Sequence, residues 1–135
     1  MTGFSGRYVL LAEDDIDDQE FLIEALHELD PELNVHVADS GEKAIEYLSS
    51  VTVTSFPSLI ILDYNLPKIN GQQILSYLKN DERYDGVTKL VWSTSNAPHY
   101  VQCCLQEGAK AYLVKPTDLG GIKKVAATML AYCSS

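Results

Sequence analysis

Four short groups of reactive side chains punctuate this sequence, each directly after an apolar run: Glu13-Asp14-Asp15, Asp63, Ser93-Thr94 and Lys115-Pro116. Carboxylates gathered in one cleft repel each other, and each makes the others harder to ionise. A hard dication such as Mg²⁺, or Mn²⁺ in its place, relieves that repulsion and suits carboxylates and waters as ligands. With a hydroxyl and an ammonium added, the set fits phosphoryl transfer to a carboxylate. Asp63 would be the nucleophile. The cation, Lys115 and Ser93 would share the negative charge of the phosphoryl oxygens. Such catalysis is mainly positioning and charge stabilisation. Taken singly, each residue has an ordinary explanation: an Asp after a strand is commonly a turn residue or helix cap, and Lys-Pro a surface turn. Only joint placement carries the chemistry.

The elements that would supply that placement can be read from the apolar patterning. Tyr8–Ala12 is a short apolar run, as expected of a strand covered on both faces. A helical stripe follows, with Phe21, Leu22, Ala25, Leu26 and Leu29 on one face, closed by Pro31. Leu33–Ala38 reads as a second strand and Ser40 as the N-cap of a helix ending near Ser49. Leu59–Leu62 is a third strand, and Ile74, Leu75 and Leu78 mark a helix from about Gly71 to Asn80. Leu90–Trp92 is a fourth strand. Pro98 opens a helix with Val101, Cys104 and Leu105 facing inward, and Gly108 takes its C′ position. Ala111–Val114 is a fifth strand, before a helix carrying Leu119, Ile122, Val125, Ala126, Met129 and Leu130. Strands joined through helices run parallel with right-handed crossovers. The expectation is a doubly wound α/β fold, a five-stranded parallel sheet with five helices. Ligands of such sheets bind beyond the carboxyl ends of the strands, where the four groups fall.

Composition narrows the classes. The 135 residues are expected to form a single domain with its core at about 7–132. With 19 acidic against 10 basic residues and a net charge of −9, there is no basic patch for nucleic acid. No apolar run approaches the length of a membrane span, and Met1 to Arg7 lacks the apolar stretch of a secretory signal, so a cytoplasmic location is expected. Cys103, Cys104 and Cys133 have neither disulfide-framework nor zinc spacing, and reduced thiols are expected.

Together, Val9–Asp15, Leu59–Pro67 with Gly71, Ser93, and Gly108–Pro116 resemble the receiver domain of response regulators in two-component signalling, over nearly the whole chain. That resemblance implies the flavodoxin-like strand order 2-1-3-4-5. It makes Glu13 and Asp14 the metal-binding acid pair, with Asp15 a third acid beside them, and Asp63 the phosphoacceptor. Asn65 would offer its backbone carbonyl to the metal, while its side chain modulates dephosphorylation. Ser93 would be the switch hydroxyl, Lys115 the phosphoryl-contacting lysine and Tyr112 the switch aromatic. Pro116 would follow a cis peptide bond with Lys115. Thr94, where the family often has Ala, would narrow access to the phosphoryl site.

The implied donor is a histidine kinase or histidine phosphotransfer protein. Because the sequence ends just after the last helix, no output domain is expected. The signal would pass to a separate protein or a homodimer through the face of helix 4, strand 5 and helix 5. Such a protein catalyses only its own phosphorylation and dephosphorylation. An aspartate-nucleophile phosphatase would use a D-x-D after the first strand. Asp15-Ile16-Asp17 reads so, but leaves Glu13 and Asp14 without a role. A flavodoxin-like cofactor binder needs a phosphate loop where this chain has three acids. A pseudo-receiver, binding partners without phosphorylation, is the remaining alternative.

Overall fold

Leu59-Ile60-Ile61-Leu62 has no polar residue to turn toward water, so it belongs where both faces are covered. In the computed structural model, which describes residues 8–52 and 55–133, it is the fully buried middle of the sheet. The strands are β1 (Tyr8–Ala12), β2 (Asn34–Ala38), β3 (Leu59–Asp63), β4 (Thr88–Ser93) and β5 (Ala111–Val114). All pair in parallel, in the order β2-β1-β3-β4-β5. The helices are α1 (Ile16–Leu29), α2 (Gly41–Ser50), α3 (Gly71–Lys79), α4 (Pro98–Gln106) and α5 (Leu119–Cys133). This is the expected five-stranded, five-helix flavodoxin-like fold. Arg7, where the core was expected to begin, lies outside the described residues.

Strand side chains alternate between two cores. Leu10, Ala12, Ile60, Leu62 and Val91 pack with Ala44 and Leu48 of α2, Ile74, Leu75 and Leu78 of α3, and Cys104 of α4. Val9, Leu11, Ile61, Leu90 and Trp92 pack on the opposite face with Leu22 and Leu26 of α1 and Ala126 and Met129 of α5. The helix stripes proved narrower than expected. Phe21, Leu29, Leu105 and Leu119 are exposed. Phe21 and Leu105 each sit one residue, about 100° of helix, from a buried neighbour, while Leu29 and Leu119 occupy terminal turns.

Ser40 caps α2 as expected, accepting from the Lys43 N–H at 3.1 Å. Two features escaped the patterning. Asn70 and Gln73 form a capping box at the start of α3, with both bonds at 2.9 Å. A 3-10 turn at Glu82–Tyr84 sinks Tyr84 completely, and its hydroxyl donates to the Leu48 carbonyl at 2.6 Å.

Candidate functional site

Strand register assembles the site. Ala12 lies opposite Leu62, so Glu13 and Asp63, the next residues, emerge side by side. Asp63 pairs with Trp92, and Ser93 with Val114, which puts Lys115 just beyond Ser93. The Lys115 N–H donates to the Ser93 carbonyl at 2.7 Å, fixing the lysine backbone at the sheet end. Gly71 brings α3 against this region: a Cβ there would lie 2.8 Å from the Asp63 carbonyl oxygen, closer than any side chain tolerates.

Glu13, Asp14 and Asp63 each offer a carboxylate oxygen, and those atoms lie within 4.8 Å of one another. Glu13 is fully buried and Asp63 nearly so, while Asp14 is exposed at the mouth. Burial pushes the Glu13 carboxyl up to about 8; the adjacent Lys115 ammonium opposes the rise and neighbouring Asp63 adds to it. Glu13 Oε1, though near the lysine, makes no aligned hydrogen bond. A raised buried carboxyl, an under-bonded oxygen and an all-oxygen donor set fit a hard divalent cation.

The Lys115 ammonium lies 2.8 Å from Glu13 Oε1, 2.8 Å from Asp18 Oδ2 and 3.3 Å from Asp63 Oδ2. Burial alone would lower its pKa. The bond to Asp18 and the ion pairs with Glu13 and Asp63 outweigh burial and hold it above the ordinary lysine range. Beneath it the Trp92 ring centroid is 4.9 Å from Nζ. Trp92, buried in the core, is therefore also the floor of the site.

Asp63 Oδ1 accepts the Asn65 backbone N–H at 3.0 Å. The Asn65 side-chain amide is 3.4 Å from Ser93 Oγ, which also accepts the Ser95 N–H at 3.1 Å. Thr94 is exposed beside buried Ser93. The Tyr112 hydroxyl donates to the Ser95 carbonyl at 2.7 Å, which ties the ring to the loop after Ser93.

One expectation changes. No peptide bond among the described residues is cis, so Lys115–Pro116 is trans, the intrinsically preferred isomer by about 0.5–1 kcal/mol. Asp15, beside the acid pair, is the N-cap of α1, accepting the Asp18 N–H at 2.9 Å. Two site residues went unassigned by sequence. Asp18 grips Lys115, and Gln19 donates to the Glu13 carbonyl at 2.7 Å. Their signal was available: with Asp15 as N-cap they fall in the first turn of α1, beside the acids.

A sequence model of the response regulator receiver domain matches residues 9–127, and the chain belongs to that family. Among curated relatives, the two-component response regulator ORR7 of Oryza sativa subsp. japonica is 29% identical over 123 residues, which are 91% of this chain and 56% of that protein. ARR7 of Arabidopsis thaliana, also a two-component response regulator, is 30% identical over 125 residues, 87% of this chain and 60% of that one. The chain thus spans somewhat over half the length of these relatives. The crystal structure of the phosphorylated cyanobacterial phytochrome response regulator RcpA superposes with a TM-score of 0.87 at 26% identity, covering 96% of this chain and 94% of that one. The Mn²⁺-bound form of response regulator Rcp1 does so with a TM-score of 0.81 at 26% identity, covering 93% and 92%.

Proposed function

We propose that this chain accepts a phosphoryl group on Asp63 from a phosphohistidine of a histidine kinase or histidine phosphotransfer protein, in a Mg²⁺-dependent reaction, and signals through altered protein contacts. The observation that carries this reading is the convergence of Glu13, Asp14, Asp63, Ser93 and Lys115 at adjacent strand ends. An Asp63 carboxylate oxygen attacks phosphorus. The phosphorus–nitrogen bond to the donor imidazole breaks as the phosphorus–oxygen bond forms, and the leaving ring nitrogen takes a proton from solvent. Lys115 supplies N–H donors and positive charge to the phosphoryl oxygens, and the Ser93 hydroxyl donates to another. Glu13 and Asp14, with Asp63 and the Asn65 carbonyl, would hold the divalent cation, which offsets negative charge at the reacting centre. The switch role of Ser93 and Tyr112, and output through α4, β5 and α5 to a partner or second copy, belong to the same proposal.

The test is intact mass measurement after incubation with acetyl phosphate or phosphoramidate and Mg²⁺. Wild type should gain one phosphoryl group, while Asp63→Asn and chelator-treated protein should not. Equal modification of Asp63→Asn would overturn the assignment. A wild type that gains nothing would leave a pseudo-receiver.

A further inference from the structure

We propose that Asp18 is a positioning residue for the phosphoryl reaction: it anchors the Lys115 ammonium over the acid cleft, so that one N–H is delivered to the group on Asp63. The inference rests on the reading of Asp63 as acceptor. An ammonium has three N–H donors. Here three carboxylates surround it, and Asp18 at 2.8 Å is as close as Glu13 and closer than Asp63 at 3.3 Å. Glu13 and Asp63 also belong to the cluster that fits a cation, and Asp18 does not. When those two turn to cation and phosphoryl group, Asp18 is the counter-ion still able to hold the lysine.

Asp18 is itself held. Its N–H donates to the Asp15 cap, and neighbouring Gln19 ties the same turn to the Glu13 carbonyl. The first turn of α1 is thus pinned to the end of β1, which sets where the Asp18 carboxylate meets a lysine 97 positions away in sequence. A lysine stem is flexible, and its point charge has no directional fork to fix it. In this site the Trp92 ring supports Nζ on one side and Asp18, whose side chain is 35% exposed, holds it on the more open side. Misplacing a charge by an ångström in a transfer step is costly, whereas a part-exposed ion pair adds little to stability.

The experiment compares wild type, Asp18→Asn and Asp18→Glu in Mg²⁺. It reads thermal midpoint, the ¹H–¹⁵N signal of the Lys115 ammonium, and the rate of phosphoryl uptake from phosphoramidate. Asp18→Asn should melt close to wild type, lose or broaden the Lys115 ammonium signal, and take up phosphate at least about tenfold more slowly. Asp18→Glu, which keeps the charge, should recover most of the rate. Equal uptake by wild type and Asp18→Asn overturns the Asp18 assignment alone. So does slow uptake that tracks a lowered midpoint while the ammonium signal is unchanged. A wild type without uptake instead overturns the acceptor reading.

Discussion

Adjacent residues can have opposite chemistry when a helix turns one of them into the core. Cys104 is fully buried and Cys103 is not, and burial pushes the Cys104 thiol up to about 11. A thiol-alkylating reagent should therefore modify Cys103 first in the folded protein, reaching Cys104 and Cys133 only on unfolding; peptide mass mapping would read the order. Burial also raises the Tyr84 phenol to about 12. Both groups hold their protons more tightly when folded, so their contribution is complete below the unfolded values of 9.0 and 10.0. It is lost as pH rises through about 11 and about 12. Thermal midpoints should fall across that alkaline window, and less steeply in Tyr84→Phe. That variant starts weaker, because the buried Leu48 carbonyl loses its partner at a cost of about 1–3 kcal/mol.

Between β3 and α3 the chain makes a tight connection. Lys68 adopts a φ of 67°, and the Ile69 N–H closes back to the Pro67 carbonyl at 2.7 Å. A side chain in that region costs about 1–2 kcal/mol, so Lys68→Gly should raise stability by about 1 kcal/mol in urea titration. Gly71→Ala should do the reverse. Its methyl group meets the Asp63 and Tyr64 backbone, so it should destabilise by about 1–3 kcal/mol and also slow phosphoryl uptake by shifting the acceptor. Unchanged uptake kinetics would separate the packing of α3 from the geometry of Asp63. Elements of this kind mark where sequence reading stopped. All five strands, the Ser40 cap and the acid–Asp63–Ser93–Lys115 order were legible, because apolar runs and their flanking residues are local signals. The Tyr84 turn was not, because its anchor is the Leu48 carbonyl, 36 positions away. Asp18 can be placed in the first turn of α1, but not paired, because a helix acid gives no sign of the lysine 97 positions away that will face it. The burial of Phe21 and Leu105 was overstated, because a stripe reports a face and not its width.

At the scale of the whole molecule, the site and the α4–β5 side are linked by one short hydrogen-bonded loop. The Ser95 N–H donates to Ser93 Oγ, and the Ser95 carbonyl accepts from Tyr112 on β5. Tyr64, directly after the acceptor, packs against Tyr100 of α4 with ring centroids 4.6 Å apart and planes tilted by 33°. On the proposed reading, a phosphoryl group recruits the Ser93 hydroxyl and pulls on Ser95, which carries the Tyr112 ring and the start of α4 with it. The bias available is roughly one or two charge-assisted hydrogen bonds, about 1.5–3 kcal/mol each, enough to shift a population between two packings. On the α5 side of the proposed output face, Lys123 pairs with Glu28 of α1 at 3.4 Å, with both side chains over half exposed. Beryllofluoride, which mimics the phosphoryl group, should move amide resonances at Asp63 and Ser93, along residues 94–97, and through α4 and β5. In Tyr112→Phe the ring can no longer hold the Ser95 carbonyl. Shifts at Asp63 and Ser93 should then persist while those in β5 and α4 shrink. A wild type whose shifts stop at the Asp63 pocket would rule out this route. A Tyr112→Phe protein with undiminished shifts in α4 would move the link from Ser95–Tyr112 to Tyr64–Tyr100.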